Sequence, residues 1–294
     1  MKLDLRFRGD LDREVVNIFN HIANSKRKAF TQLVDRLSMS SEGNLDWWVE
    51  GPASRNTLSS PFFHYYCCLY LVNELIKRNY ALSEIIVDSM SFQNILKRFV
   101  EKKKVSITII GPSISLKARI LMIIKKILNV FKQELYKYKC ARKTKHLQNP
   151  IPDAALTLID VYVFPEFISK DRYYNGLWEY LSSDKKESTF FVPTLVMIPK
   201  NEILIVYEEL RRSKRNFFIK EDYLKIIDIL FAIGHCYRIL RIRVNSTYVL
   251  GMDIAPLVRE EITSMRGLDG AVIALLNYRF VRRLKERNVR LRLV

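Results

Sequence analysis

The sequence contains little glycine, proline or cysteine, and it has no long uncharged apolar run. Its 294 residues include nine glycines and nine prolines, which excludes a collagen-like or low-complexity chain. No stretch of about 18 residues is both apolar and uncharged, so the sequence predicts no transmembrane helix. The opening residues, MKLDLR, lack the apolar core of a secretory signal peptide. Four cysteines in a chain of this length do not indicate a disulfide scaffold, and they favour a reducing cytoplasm.

Motifs for metal ions, phosphate groups and hydrolase nucleophiles are also missing. The four histidines are far apart in the sequence, and the adjacent Cys67 and Cys68 cannot form a CxxC site. The chain has no GxxxxGK[ST], GxGxxG or GxSxG. Gly111 follows a predicted strand, as phosphate loops do, but the next residue, Pro112, has no N–H to donate. We therefore expect neither a bound metal nor a resident cofactor.

Positive charge is what the chain has in excess. It carries 49 lysines and arginines against 31 acidic residues, a net charge of +18. Residues 97–145 contribute a net +13 and residues 279–292 a net +6, so two segments account for the whole excess. Such a distribution favours a polyanion as partner, although a solvated helix face explains it equally well. We expect the basic patch to include Lys102, Lys103, Lys104, Lys117, Arg119, Lys125, Lys126 and Lys132.

Helical and strand patterns alternate along the chain. This alternation predicts an α/β fold with a mostly parallel, Rossmann-like sheet, helices on both faces, and a helix-rich part over residues 200–287, all in one domain. Pro193 indicates that its strand lies at a sheet edge or ends there. The predicted helices cover residues 12–37, 61–78, 91–100, 115–139, 202–212, 221–240 (apolar nearly all round and so buried), 254–265 and 270–287. The predicted strands cover residues 45–49, 85–88, 105–110, 155–164, 190–198 and 289–294.

The densest group of polar and aromatic residues follows the first predicted strand. In a strand, Trp47 and Trp48 would face opposite sides, so Trp48 could offer a stacking surface for a sugar ring. An arginine here can bind a phosphate or carboxylate with both arms of its guanidinium, and a helix that begins at Ser60 can donate N–H groups to an anion. The alternative is a strand–loop–helix joint with core tryptophan and a helix cap. The candidate ligand-binding residues are Trp48, Ser54, Arg55, Asn56, Ser60 and His64.

Two further groups of polar residues follow or lie within predicted strands. In parallel α/β sheets, ligands bind beyond the carboxyl ends of the strands, where Asp88 and Ser89 are expected. Asp88 could be a general base or simply a helix cap, and Asp160 is a second candidate base. The run Asp171-Arg172-Tyr173-Tyr174 can stack on and hydrogen-bond a polar ligand, or can form a loop closed by Asp171. His235, in an apolar helix, is expected to be a core histidine.

Three sequence blocks resemble a family of bacterial surface-carbohydrate biosynthesis proteins from lipopolysaccharide and capsule gene clusters. They are LDWWVEGPASRNTLSSPFFHYYCCLYLVNEL (45–75), DRYYNGLWEYL (171–181) and KIIDILFAIGHCYRIL (225–240). The resemblance implies a glycosyltransferase of the two-domain GT-B type. Because the family's proteins are longer, it also implies that residues 1–294 form the N-terminal, acceptor-side half. Where the family's loop after the tryptophan pair begins Ser-Pro, this chain has Gly51-Pro52.

The resemblance and the charge distribution together lead to one expected function and one alternative. We expect a cytoplasmic glycosyltransferase, peripheral at the inner membrane, that moves a sugar from a nucleotide-sugar to a lipid-linked or glycan acceptor. Arg55 and Asn56 would hold the acceptor, Asp88 or Asp160 would be the base, and Trp48 and Tyr173 would stack on sugars. The anionic membrane surface is a further expected partner. The alternative is a non-catalytic module that binds nucleic acid or recruits proteins to a membrane.

Overall fold

The chain is a helix-rich, mixed α/β protein with small parallel sheets. The computed structural model describes residues 1–54, 60–113, 116–147, 155–165 and 176–292. Two compact units are present: unit 1 comprises Met1–Lys125 and Gly234–Ala271, and unit 2 comprises Lys126–Ile233 and Val272–Val294. The assignment of residues 1–294 to a single domain stays a prediction.

Unit 1 is built around a three-stranded parallel sheet. Its strands are β1 (Lys2–Asp4), β2 (Glu84–Ile86) and β3 (Thr108–Ile110), in the spatial order β1-β2-β3. Leu3 and Ile85, in the middle of the first two strands, are both buried. Parallel neighbours need a crossover connection, and helices supply it on both sides of β2. Because the strands are parallel, their carboxyl ends lie along one side of the sheet, which we call its carboxyl edge.

Helices surround this sheet and account for most of unit 1. The most buried of them is α4 (Phe62–Lys77), which presents aromatic side chains to α1 (Arg13–Met39), where the ring centroids of Phe30 and Phe63 are 4.8 Å apart. Leu250 and Gly251, both with positive φ, close the short hairpin of β6 (Tyr248–Val249) and β7 (Met252–Asp253). The helices of unit 1 are α1 (Arg13–Met39), α2 (Leu45–Trp48), α3 (Gly51–Ser54), α4 (Phe62–Lys77), α5 (Met90–Lys103), α11 (His235–Arg238), α12 (Ala255–Thr263) and the first part of α6 (Leu116–Thr144).

Unit 2 contains a two-stranded parallel sheet of β4 (Thr157–Val163) and β5 (Thr189–Leu195). Every residue of β5 is buried, including Pro193, which pairs with Val161. Both strands of a two-stranded sheet are edges, so the edge position predicted from Pro193 is confirmed. The helices of unit 2 are α7 (Leu177–Tyr180), α8 (Ser183–Ser188), α9 (Ile203–Arg212), α10 (Ile226–Ile233), the later part of α6, and most of α13 (Leu268–Glu286).

The described strands fall into separate small sheets, β1-β2-β3, β4-β5 and β6-β7. The extended Rossmann-like sheet stays a prediction, and two of the predicted strands differ in the structure. In the predicted strand 289–294, the described residues make a single bridge, between Leu291 and Leu156. The predicted strand 45–49 is helical instead, because the side chain of Asn44 accepts a hydrogen bond from Asp46 N and starts α2. Trp47 and Trp48 therefore do not alternate across a strand.

The predicted buried helix over 221–240 is also wrong. A single turn of 3-10 helix (Lys220–Asp222) is followed by α10 and α11, which are separated at Gly234. Asp228 starts α10 by accepting a hydrogen bond from Lys225 N at 2.8 Å. The apolar surface of this stretch is not all buried either, since Ile227 is 56% exposed and Tyr237 is 60% exposed. No helix in the described part of the chain has both the length and the hydropathy that crossing a bilayer requires.

Candidate functional site

Asp88 lies at the carboxyl edge of the three-stranded sheet, two residues after β2. Its carboxylate accepts a hydrogen bond from the Tyr65 hydroxyl at 2.7 Å and from Phe7 N at 3.3 Å. Tyr65 comes from the first turn of α4, and Phe7 follows β1. The side chain is half-buried and is held by α4 and by the segment that follows β1. It is therefore a fixed acceptor at the place where parallel α/β sheets bind ligands.

His64 is the second titratable side chain at this edge. Its Nε2 lies 3.0 Å from the carbonyl oxygen of Leu5, and a carbonyl only accepts, so Nε2 carries the proton that it donates. Burial lowers the pKa of His64 below 6.5, and the ring is neutral at pH 7. The carboxylate of Asp88 and the neutral imidazole of His64 are both hydrogen-bonded to the segment that follows β1. Either group can accept a proton from the hydroxyl group of a bound ligand.

The N-terminus of α5, next to Asp88, is already occupied by a side chain of the protein. Ser89 caps the helix by accepting from Phe92 N, and it donates to Glu260 Oε2 at 2.8 Å. Glu260 also accepts from Ser91 N at 2.7 Å and from Met90 N at 3.3 Å. Burial alone would raise the pKa of Glu260, but these hydrogen bonds outweigh it and lower the pKa below 4.5. Ser89 is buried and serves as a helix cap in this structure.

The other described residues of the first block have mixed surroundings. Trp47 is buried and donates its indole N–H to Ser38 Oγ, whereas Trp48 is 46% exposed and free to offer a ring face. Ser60 is buried, and its Oγ accepts from Phe62 N at 3.3 Å, as expected for a residue at the start of α4. Ser54 donates to the carbonyl of Gly51 within α3. Arg55, Asn56, Asp171, Arg172, Tyr173 and Tyr174 lie outside the described residues.

A buried ionic network joins the first and the third of the sequence blocks. His235 is fully buried, and its two ring nitrogens lie 2.7 Å from Asp46 Oδ1 and 2.7 Å from Glu50 Oε1. Carboxylates only accept, so the ring donates from both nitrogens and is an imidazolium. Burial opposes this charge, but the hydrogen bonds to Asp46 and Glu50 outweigh it and raise the pKa of His235 above 6.5. Arg238 adds two hydrogen bonds to Asp46, at 2.7 and 2.9 Å.

The expectation of a core histidine is confirmed for His235, but its charged partners are not apparent from the sequence. Asp46 and His235 are 189 positions apart, and no spacing rule connects them. Burial would raise the pKa of Asp46, but the hydrogen bonds from His235 and Arg238 hold it below 3.8. This network fixes α2 and α11 against each other within unit 1.

Glu261 is a buried carboxyl group close to this network. The pKa of Glu261 is raised to about 7, mainly by burial. The negative charge of Glu50 also raises it, and a hydrogen bond from Ser60 opposes the rise. Its Oε2 is buried without a hydrogen-bond partner. Gly51 leaves room for this side chain, because a Cβ there would lie 2.5 Å from Glu261 Oε1. Glu261 therefore changes charge near neutral pH beside the residues predicted to bind ligand.

Asp160, the other predicted base, lies in unit 2 and away from a strand end. It is in the middle of β4, opposite Val192 of β5, and it is exposed. Asp160 therefore belongs to a different sheet from the one whose carboxyl edge holds Asp88. Sequence reasoning also missed a buried lysine in unit 2, Lys220, which donates to Thr194 Oγ1 at 3.3 Å and to Asn277 Oδ1 at 3.0 Å. Burial lowers the pKa of Lys220.

The predicted basic patch is divided between two helices. Lys102 and Lys103 form the last turn of α5, and Lys104 caps it in the left-handed conformation. The remaining residues lie on α6, where Arg119 Nη1 is 3.9 Å from Glu260 Oε1. The side chains of this part of the patch are Lys117, Arg119, Lys125, Lys126 and Lys132.

Two open grooves lie on unit 1. One, of about 620 Å³, runs between α1 and α4 and is lined by side chains that include Lys26, Tyr70 and Lys77. The other, of about 520 Å³, lies between α5, α6 and α12. Neither groove is lined by Asp88 or His64, and the candidate site at the carboxyl edge is identified by its hydrogen-bond geometry. Among the described residues, no group of three or more His, Cys, Asp or Glu side chains is arranged to hold a metal ion.

Comparisons of the chain with family models, with curated proteins and with solved structures found no significant match.

Proposed function

We propose that the chain is a glycosyltransferase, or the acceptor-side half of one with the GT-B architecture and its Rossmann-like domains, and that it acts in bacterial surface-polysaccharide synthesis. It would transfer a sugar from a nucleotide-sugar to a lipid-linked or glycan acceptor, as a peripheral protein at the cytoplasmic face of the inner membrane. The observation that carries the proposal is that Asp88 and His64 are both hydrogen-bonded to the segment after β1, at the carboxyl edge of a parallel sheet. His64 lies within the block that resembles the family, and Asp88 follows that block in the sequence.

Sugar transfer needs a group that removes the proton from the attacking hydroxyl. The acceptor oxygen forms a bond to the anomeric carbon, the bond from that carbon to the nucleotide phosphate breaks, and the proton passes to the base. Asp88 is the preferred base, because Tyr65 and Phe7 hold its carboxylate at a strand end. Asp160 is disfavoured, because it is exposed in the middle of β4.

Other groups would bind and stabilise the reactants. We propose that Arg55 and Asn56 hold the acceptor and that the half-exposed ring of Trp48 stacks on a sugar. Basic side chains would stabilise the charge that develops on the leaving phosphate, so the reaction as proposed uses no metal. The N-terminus of α5 is not assigned this role, because Glu260 is bonded to it.

The test compares two matched variants, Asp88→Asn and Asp160→Asn. The chain is incubated with a panel of labelled nucleotide-sugars and membrane lipids as acceptors, and transfer of label to the lipid fraction is measured. We expect Asp88→Asn to lower the rate by about 10²-fold or more, as for loss of a general base, and Asp160→Asn to leave it unchanged.

A structural effect of the Asp88 substitution is tested separately with Tyr65→Phe. That variant removes the 2.7 Å hydrogen bond but keeps the carboxylate, so it should retain most of the transfer rate. Transfer that depends on Asp160 and not on Asp88, or no transfer from any donor in the panel, would contradict the proposal.

A further inference from the structure

The first half of α6 exposes an unusual number of large apolar side chains. Helices of globular proteins normally bury such side chains against the core. Here five of them, all within nine residues, are between 47% and 63% exposed: Ile120, Leu121, Met122, Ile124 and Leu128. Single exposed apolar residues are ordinary, but a contiguous group of them marks a binding surface.

Most of these side chains share one face of the helix. Leu121, Ile124 and Leu128 are spaced i, i+3 and i+7, which places them in one row, and Ile120 lies beside Ile124. Lysines border this row. Lys125 and Lys132 each lie four residues beyond one of the leucines and are exposed. The surface is therefore an apolar stripe with cationic side chains along one side.

Negative charge is nearly absent from α6. Among its 29 residues Glu134 is the one acid, and it is buried and accepts a hydrogen bond from Lys137 at 2.7 Å. The exposed face thus presents positive charge without a compensating carboxylate of its own helix. Its partner must be anionic and must also cover the apolar side chains.

An anionic lipid bilayer meets both requirements. A helix that lies in the plane of the interface buries its apolar face at the boundary between headgroups and acyl chains, while lysine stems extend so that their ammonium groups reach the phosphates. A nucleic acid would match the lysines but leave Ile120, Leu121 and Ile124 in water. The combination of the two features is what selects the membrane.

We propose that the exposed face of α6 binds the surface of an anionic membrane, with the helix lying parallel to that surface. The biological setting of this contact rests on the proposed function, but the contact itself needs neither a sugar donor nor an acceptor. The proposal assigns the predicted membrane location to one face of α6. Lys102, Lys103 and Lys104 belong to α5 and are not part of the proposed contact.

The experiment is vesicle flotation with the full chain and no nucleotide-sugar present. Vesicles of phosphatidylcholine and phosphatidylglycerol in equal amounts are compared with vesicles of phosphatidylcholine alone. We expect binding to the anionic vesicles, and Leu121→Asp should weaken it about tenfold or more, because one buried leucine side chain is exchanged for a charge. The matched control is Ile205→Asp, since Ile205 of α9 is equally exposed, at 55%, and should have no effect.

A charge-matched pair tests the lysines. Lys125→Glu should weaken binding by at least about fivefold, and Lys185→Glu, on an exposed position of α8, should not. Thermal unfolding of each variant shows whether the fold is retained.

Three results would overturn the inference: no binding of the unchanged chain to anionic vesicles, equal weakening by Leu121→Asp and Ile205→Asp, or binding that depends on the lysines but not on Leu121. The last result, together with competition by DNA, would assign the surface to nucleic acid. Vesicle binding without sugar transfer would count against the proposed function alone, and transfer to a soluble acceptor without vesicle binding would count against this inference alone.

Discussion

Replacing His235 by alanine should destabilise unit 1 strongly. The side chain is fully buried and donates two hydrogen bonds of 2.7 Å to carboxylates. Hydrogen bonds to charged groups contribute about 1.5–3 kcal/mol each. Asp46 keeps Arg238 after the change, but Glu50, which is only 5% exposed, loses the partner that compensates its charge. Removing one member of a buried ion pair typically costs about 3–5 kcal/mol, and we expect a loss of free energy of unfolding in that range.

Urea denaturation followed by tryptophan fluorescence measures this loss. Two of the three tryptophans, Trp47 and Trp48, are next to Asp46 and report on unit 1. His21→Ala is the control, because His21 is an exposed histidine of α1, and it should change the free energy of unfolding by less than about 0.5 kcal/mol.

The loss of stability caused by His235→Ala should also depend on pH. The pKa of His235 is raised in the folded state above its ordinary value of 6.5. Its contribution to stability is therefore complete below that value and is lost as the pH rises through the folded-state pKa. The difference in stability between the unchanged chain and His235→Ala should shrink on the alkaline side. A loss below about 1 kcal/mol, or a difference that grows with pH, would refute the assignment of an imidazolium between two carboxylates.

Four further substitutions have expected outcomes that urea denaturation can check. Glu261→Gln should make the chain more stable above about pH 7 and have little effect near pH 5, because the folded pKa of about 7 lies above the ordinary 4.5 and the unchanged chain loses stability as the pH rises between them; an equal effect at both pH values would contradict this. Trp47→Ala should cost about 3–5 kcal/mol and Trp48→Ala less than about 1 kcal/mol, since only the first is buried; equal losses would argue against the helical turn of α2. Gly43→Ala should cost about 1–2 kcal/mol through its φ of +75° alone, because nothing lies within 4 Å of the added Cβ, and no measurable loss would argue against that backbone conformation.

The long helices could be predicted from the sequence because their apolar residues repeat at helical spacing. The predicted helix over 12–37 is observed as Arg13–Met39, and that over 254–265 as Ala255–Thr263. Local periodicity is enough for such elements. The run LDWWV was misassigned, since a short apolar run has no period that separates strand from helix, and the deciding contact is a single cap by Asn44.

Features that depend on contacts between distant residues were beyond sequence reasoning. Strand β1 has three residues, two of them charged, and it exists because Lys2 to Asp4 pair with Glu84 to Ile86. The network around His235 likewise joins residues 185 and 189 positions apart. Asp88 could be predicted at a strand end, because strand ends follow from the local pattern, but the hydrogen bonds from Tyr65 and Phe7 that fix its carboxylate could not.

The carboxylate of Glu260 on the N-terminus of α5 acts as a tethered competitor for any anion that approaches this helix. Its oxygens already accept from Ser89, Met90 and Ser91, so a phosphate would have to displace a group that is covalently part of the same chain. Groups linked in this way compete at effective concentrations of about millimolar or higher. A free phosphate ligand at a concentration well below this would be at a disadvantage there. Glu260→Gln would remove the negative charge of this side chain. The resulting gain in affinity for inorganic phosphate would measure how strongly the Glu260 carboxylate competes for the N-terminus of α5.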